Sequence, residues 1–151
     1  MALLAVVERH RNSGRVALGL LRGLDLKRGA IATSIAHDSH HIIVAGIDPE
    51  DMAVAVETIV SMQGGLVAVN QGKVSAQLPL PIAGLMSPEP LEQVARQLAQ
   101  LEAAARDLGI AIKSPFMALS FLALPVIPAL KLTDKGLFDV QKFAPVDIKI
   151  Q

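Results

Sequence analysis

Residues Gly29 to Val60 read GAIATSIAHDSHHIIVAGIDPEDMAVAVETIV. Two apolar runs, Ala30 to Ala36 and Ile42 to Ala45, flank a polar stretch, AHDSHH. Short β-prone runs bounded by Gly, Asp and Ser predict two strands joined by a loop. The period then changes. Asp48 can cap a helix, Pro49 suits its first position, and Glu50 and Asp51 favour the positive end of its dipole. Met52, Ala55, Val56, Ile59 and Val60 recur at helical spacing, and Gly64 and Gly65 end the run. A strand, loop, strand and helix in one stretch point to an α+β domain.

Working outward from this stretch, Leu3 to Val7 and VALGLLRG from Val16 are strand candidates separated by the turn-like RNSGR. Leu66 to Val69 and Val74 to Leu78 flank NQGK, a hairpin signal. The proline-rich LPLPIAGLMSPEP, Leu78 to Pro90, is a loop by its chemistry. A second helix is expected from about Ser87 or Pro88. Leu91, Val94, Ala95, Leu98, Leu101, Ala105 and Leu108 form its stripe, and Gly109 closes it. Beyond Gly109 the pattern is irregular, with a turn at Asp134 to Gly136 and a final strand candidate, Val146 to Ile150. The expected fold is one domain over residues 1–151, α+β, with a mixed, largely antiparallel sheet covered by two amphipathic helices, most simply on one face.

Composition narrows the function classes. The chain has 151 residues, formal net charge zero and no cysteine. Neutral charge argues against a nucleic-acid partner and against steering to an anionic membrane. Without cysteine there is no disulfide and no thiolate metal site, and a cytoplasmic location is the default expectation. Hydrophobic residues make up 52% and charged residues only 19%, an apolar balance that implies surface covered by a partner. The N-terminal apolar run is too short for a signal peptide. The most apolar segment, Phe116 to Leu130, is too short to span a bilayer and is interrupted by Pro125 and Pro128. It is expected to form an exposed apolar surface and to make the protein a homo-oligomer.

Three of the four histidines lie in one loop with an aspartate. His37, Asp38 and His40 form a candidate acid–base set, because imidazole titrates near neutrality and a carboxylate can orient it. Two histidines and one aspartate are a thin ligand set for a metal, which usually has three or four protein ligands. A polar turn, with Asp38 and Ser39 satisfying local backbone groups, is the plainer alternative. Lys27 and Arg28 match no phosphate loop, since no glycine-rich run opens a helix there. Ser114, Ser120 and Thr133 sit in no nucleophile elbow.

RGAIATSIAHDSHHIIVAGIDPEDMAVAV, GGLVAVNQGKVSAQLPLPIAGLMS and PFMALSFLALPVIPALKLTDKGLFDV occur in this order. Together they closely resemble the C-terminal domain of microbial adenine deaminases, in the amidohydrolase superfamily, from about Ala5 onward. The resemblance implies hydrolysis of adenine to hypoxanthine and ammonia in the complete enzyme. It also implies a binuclear manganese or iron centre held by a preceding barrel, with a His-x-His pair among its ligands. This chain has no His-x-His, and 151 residues are fewer than the roughly 250 of such a barrel. The cofactor is therefore expected outside this chain, none of whose residues is assigned to metal. AHDSH maps onto Ala36 to His40. The family usually continues with Asn, where this chain has His41.

The expectation that follows is a domain packed on an amidohydrolase barrel, in cis or in trans. His37, Asp38 and His40 would lie near the active site, with Ser39 as a substrate contact. A non-catalytic structural or oligomerisation domain is the alternative, as is a standalone purine-binding module. The scarcity of aromatics, 3% of the chain, counts against the last.

Overall fold

Every residue of the two strands flanking the histidine loop is buried, so the sheet they form must be covered on both sides. The computed structural model describes residues 1–146. In it β1 (Ala2–Val7) and β2 (Val16–Leu21) form a hairpin, β3 (Ala30–Thr33) and β4 (Ile42–Gly46) a second, and α1 spans Pro49–Ser61. β5 (Gly65–Asn70) and β6 (Lys73–Pro79) are followed by α2 (Leu91–Asp107) and the short α3 (Pro115–Ser120). β7 (Leu130–Thr133), β8 (Gly136–Asp139) and β9 (Ala144–Pro145) complete the described elements. The first six strands make one sheet in the order β2-β1-β4-β3-β5-β6, and the last three make a smaller one. Each described pairing is antiparallel. The α+β class expected from sequence holds.

The helices do not share a face. Met52, Ala55 and Ile59 of α1 pack on Ala5, Ala30, Ala32, Val44, Val67 and Val69. The opposite side chains, among them Leu4, Val6, Ile31, Ile43, Ala45 and Leu66, meet Leu101 and Ala105 of α2 and Phe116 and Leu119 of α3. Strand alternation explains the division: neighbours along a buried strand point to opposite sides, and each side needs its own cover. Fully burying one Leu or Ile side chain contributes roughly 1.5–3 kcal/mol. Small residues set the spacing on the α1 side. A Cβ on Gly46 would collide with the Met52 side chain.

α1 starts as expected, with the Asp48 carboxylate accepting the Glu50 N–H at 3.0 Å. α2 starts later than expected, at Leu91, because Pro88 and Pro90 favour extended backbone before them and remove amide donors. Its expected stripe is fully buried only in the second half, although Val94 also packs partly buried against the core. Leu101, Ala105 and Leu108 are buried, whereas Leu91 is 78% exposed. β3 ends at Thr33, three residues short of the expected Ala36. The Phe116–Leu130 segment is divided rather than wholly external: Phe116, Leu119, Ala123 and Leu124 are core, and Met117, Val126, Ile127 and Leu130 face outward. The final strand candidate lies outside the described residues beyond Val146. No described helix is long and apolar enough to cross a membrane.

Asp51 is more than a dipole partner. It is 4% exposed, and its carboxylate accepts the N–H groups of Gln71 (3.2 Å) and Gly72 (2.6 Å) in the β5–β6 turn. The helix N-terminus thus grips the hairpin tip. Asp51→Ala is expected to destabilise the chain by about 1–3 kcal/mol in a denaturant titration. Leu101→Ala, which empties a fully buried site, is expected to cost about 2–5 kcal/mol.

Candidate functional site: a histidine cluster at one end of the sheet

The β3–β4 loop lies at the end of the sheet where β1 runs into the turn before β2. The register Val7↔Ile42 sets Glu8, Arg9 and His10 beside His40 and His41. All four histidines of the chain gather here. The His37 and His40 ring centroids are 5.3 Å apart, and those of His10 and His41 are 5.0 Å apart. His37 and His40 therefore share a site, as the sequence predicts. His37 also stacks on Phe121, at 5.3 Å and 17° between planes, and its Nδ1 is buried without a hydrogen-bond partner among the described residues.

The loop is held from outside itself. The Arg9 side chain donates from Nε to the His40 carbonyl (2.5 Å) and from Nη2 to the Ala83 carbonyl (2.7 Å). It joins the histidine loop to the proline-rich loop. The guanidinium lies where a side chain on Gly84 would stand, 2.6 Å from an ideal Cβ, so position 84 must be glycine. His10 Nε2 donates to the Ser39 carbonyl at 2.6 Å. Ser39 thus contributes its backbone to the cluster. Ser34 anchors the loop's base, its hydroxyl donating to the Gly84 carbonyl at 2.6 Å.

Glu8 organises the segment that carries Arg9 and His10. Its carboxylate accepts the N–H groups of His10 (2.6 Å), Arg11 (2.8 Å) and Ser13 (3.2 Å) and the Ser13 hydroxyl (2.7 Å). The Ser13 hydroxyl first, and then these amides, lower its pKa from 4.5 to about 2 against the opposing effect of burial.

Hydrogen bonds fix the imidazole tautomers. The Ala36 N–H donates to His40 Nδ1 at 3.2 Å, so the proton of neutral His40 sits on Nε2. The Arg9 N–H approaches His41 Nδ1 at 3.5 Å, leaving Nε2–H of His41 toward Asp134 at 3.5 Å. Asp134 also pairs with Arg15 at 3.0 Å. Burial lowers the pKa of both His40 and His41, in the latter against the raising effect of Asp134. Both rings are held toward the neutral form.

Asp38 departs from expectation. Its carboxylate was expected to accept hydrogen bonds from backbone amides or a histidine. It is instead exposed, makes no hydrogen bond among the described residues, and acts on His40 only through its charge. The amides it was expected to satisfy point elsewhere: the His40 N–H bonds the Ala36 carbonyl at 2.7 Å. Sequence reasoning passed over Arg9, Glu8, Phe121 and Asp134. An acid placed just before an Asn-Ser-Gly turn was the available signal for Glu8. Nothing local marked the other three, which arrive through the fold.

The remaining polar candidates have structural work. Arg28 donates to the Asp107 carbonyl at the C-terminal end of α2 (2.6 Å). Ser120 bonds the Met117 carbonyl, and Thr133 the Gly136 carbonyl. Among the described residues, no group of three or more His, Asp or Glu side chains is placed to hold a metal ion. The cluster can offer neutral imidazole nitrogens and one exposed carboxylate for hydrogen bonding or proton transfer.

Two titrations follow. The His40 and His41 ring protons are expected to titrate below 6.5 in NMR spectra. Because the unfolded chain binds the proton first, stability falls as pH drops below that value. For Glu8 the stabilisation is complete above 4.5 and is lost as pH falls through about 2. The His10, Arg11 and Ser13 amide resonances should move in that lower window and cease to do so in Glu8→Gln.

Comparison with known proteins accords with the motif resemblance. A family model described as the adenine deaminase C-terminal domain matches residues 1–144. An adenine deaminase of Desulfatibacillum aliphaticivorans is 56% identical over 140 residues, covering 93% of this chain and 25% of that protein. Those of Brucella anthropi and Methanococcoides burtonii are 54% identical over 141 residues and 50% identical over 146, covering 93% and 95% of this chain and 25% of each relative. The chain thus spans about a quarter of the length of the curated relatives it matches. Family match and relatives agree over nearly every described element, and the chain belongs to the adenine deaminase C-terminal domain family.

Proposed function

We propose that this chain serves as the C-terminal domain of an adenine deaminase, packed against a preceding amidohydrolase barrel, and that its histidine loop faces the active site there. The observation that carries the reading is the cluster itself. His37 and His40 stand together at one end of the sheet, in a loop held by the Arg9 and His10 side chains of the β1–β2 turn, in a domain whose relatives are named adenine deaminases. Deamination of adenine adds water across a ring C–N bond and releases ammonia, so protons must reach the departing nitrogen. Neutral His40, with its Nε2–H unused inside the loop, suits donation of a hydrogen bond. Exposed Asp38 suits acceptance of one from an amino group, and Ser39 lies beside it as a substrate contact. The binuclear manganese or iron centre belongs in this reading to the barrel.

A non-catalytic role in assembly is the second reading. The outward-facing Met117, Val126, Ile127 and Leu130 favour it, as a surface through which copies could associate.

In a complete enzyme carrying this domain, His37→Ala and Asp38→Asn are each expected to lower kcat at least tenfold, about 1.4 kcal/mol of transition-state stabilisation, with the thermal midpoint little changed. Unchanged kinetics with lowered stability or altered oligomeric state would favour the second reading. The chain alone, supplied with manganese or iron, is expected to form no hypoxanthine from adenine on chromatography.

A further inference from the structure

The large sheet is covered unevenly on the side that holds α1. The helix lies over β3, β4 and β5, reaches β1 at Ala5, and leaves β2 uncovered. There the registers Leu3↔Leu20, Ala5↔Leu18 and Val7↔Val16 put one apolar row of each strand on the same side. Leu18 and Leu20 are each 67% exposed, and Val16 is 51% exposed. Between this strip and α1 runs an apolar groove of about 410 Å³, lined by Leu3, Val16, Leu18, Pro49, Met52 and Val56.

The same strip is an edge. Among the described residues, β2 has β1 as its one neighbour in the sheet. Its sequence, VALGLL, carries no Lys, Pro or acid, the residues that ordinarily blunt an edge against further pairing. The opposite edge is treated differently: β6 opens on Lys73, ends on Pro79 and packs against α2. An unguarded edge and an uncovered face therefore coincide on one hairpin.

Size and position select the occupant. A stable interface between separate proteins buries roughly 1,200–2,000 Å². A covalently joined partner needs far less, because the linkage itself supplies a high effective concentration. The curated relatives carry about three-quarters of their length outside the matched region, since it covers 25% of each. The family match starts at residue 1 and β1 at Ala2. The family match is described as a C-terminal domain, so most of that length precedes it, and Leu3, which lines the groove, pairs with Gly46 just before α1.

We propose that the β1–β2 face, the groove beside α1 and the free edge of β2 are the docking surface for an apolar segment of the polypeptide that precedes this domain in the complete protein. The proposal rests on the reading of the chain as the final part of a longer deaminase, and it names the surface through which the two parts join. That surface is the flank of the sheet, whereas the histidines occupy one end.

Backbone amide exchange tests it, on this chain alone and on the complete Desulfatibacillum aliphaticivorans adenine deaminase. The β2 amides that β1 leaves unbonded are expected to exchange at least tenfold more slowly in the complete protein than in the isolated chain. Leu18→Glu should leave the thermal midpoint of the isolated chain unchanged, and a Glu at the matching strand position should lower that of the complete protein. Equal exchange in the two proteins would overturn the proposal. So would slow exchange in the isolated chain that is lost on dilution and in Leu18→Glu, which would make a second copy the occupant. The exchange comparison needs no variant to fold. It has no turnover readout, so its failure is distinct from failure of the histidine loop to act in deamination.

Discussion

Burial of β3 and β4 on both faces is the constraint from which the rest of the architecture follows. Ala30 to Thr33 and Ile42 to Gly46 have no exposed residue. A strand in that position needs a layer on each side and a hydrogen-bonded neighbour on each edge. α1 supplies one layer, and α2, α3 and the small sheet supply the other. β1 and β5 supply the neighbours. The alanines and Gly46 let the α1 layer come close, where larger side chains would push it away. Between these two strands the chain must turn, and the turn is the histidine loop.

Local chemistry explains what was legible in the sequence. The apolar runs of β1, β2, β4 and the β5–β6 hairpin, the Asp48-Pro49 start of α1 and the Gly109 stop of α2 are decided by neighbouring residues. Sharing of faces was not legible. An amphipathic stripe shows that a helix packs, and not on which side of a sheet it does so. Leu91 illustrates a related limit: it continues the α2 stripe in spacing, yet the helix overhangs the sheet there and leaves it wet.

The histidine loop divides in the same way. That His37 and His40 stand together was readable because four residues of polar loop cannot carry them far apart. The source of the loop's rigidity was not readable. Arg9 reaches Ala83 across 74 positions of sequence and His40 across 31, and Glu8 shapes the turn that delivers it. Asp38 looked like the organiser because it is adjacent. Glu8 has that role instead, since its carboxylate is enclosed by amide donors while that of Asp38 meets water.

The place of β1 in the sheet has a consequence for where this domain can be cut. Its first strand is central, bonded to β2 on one side and β4 on the other. Loss of those few residues would leave β2 with no partner and would bare the long edge of β4. Trimming into β1 therefore has almost no tolerance, whereas chain termini commonly accept some fraying. A gene division or a protease site that released this domain intact would have to fall before Ala2, and one placed a single turn of the chain later would yield fragments that cannot rebuild the sheet. Any natural or engineered fusion therefore has to keep β1 whole.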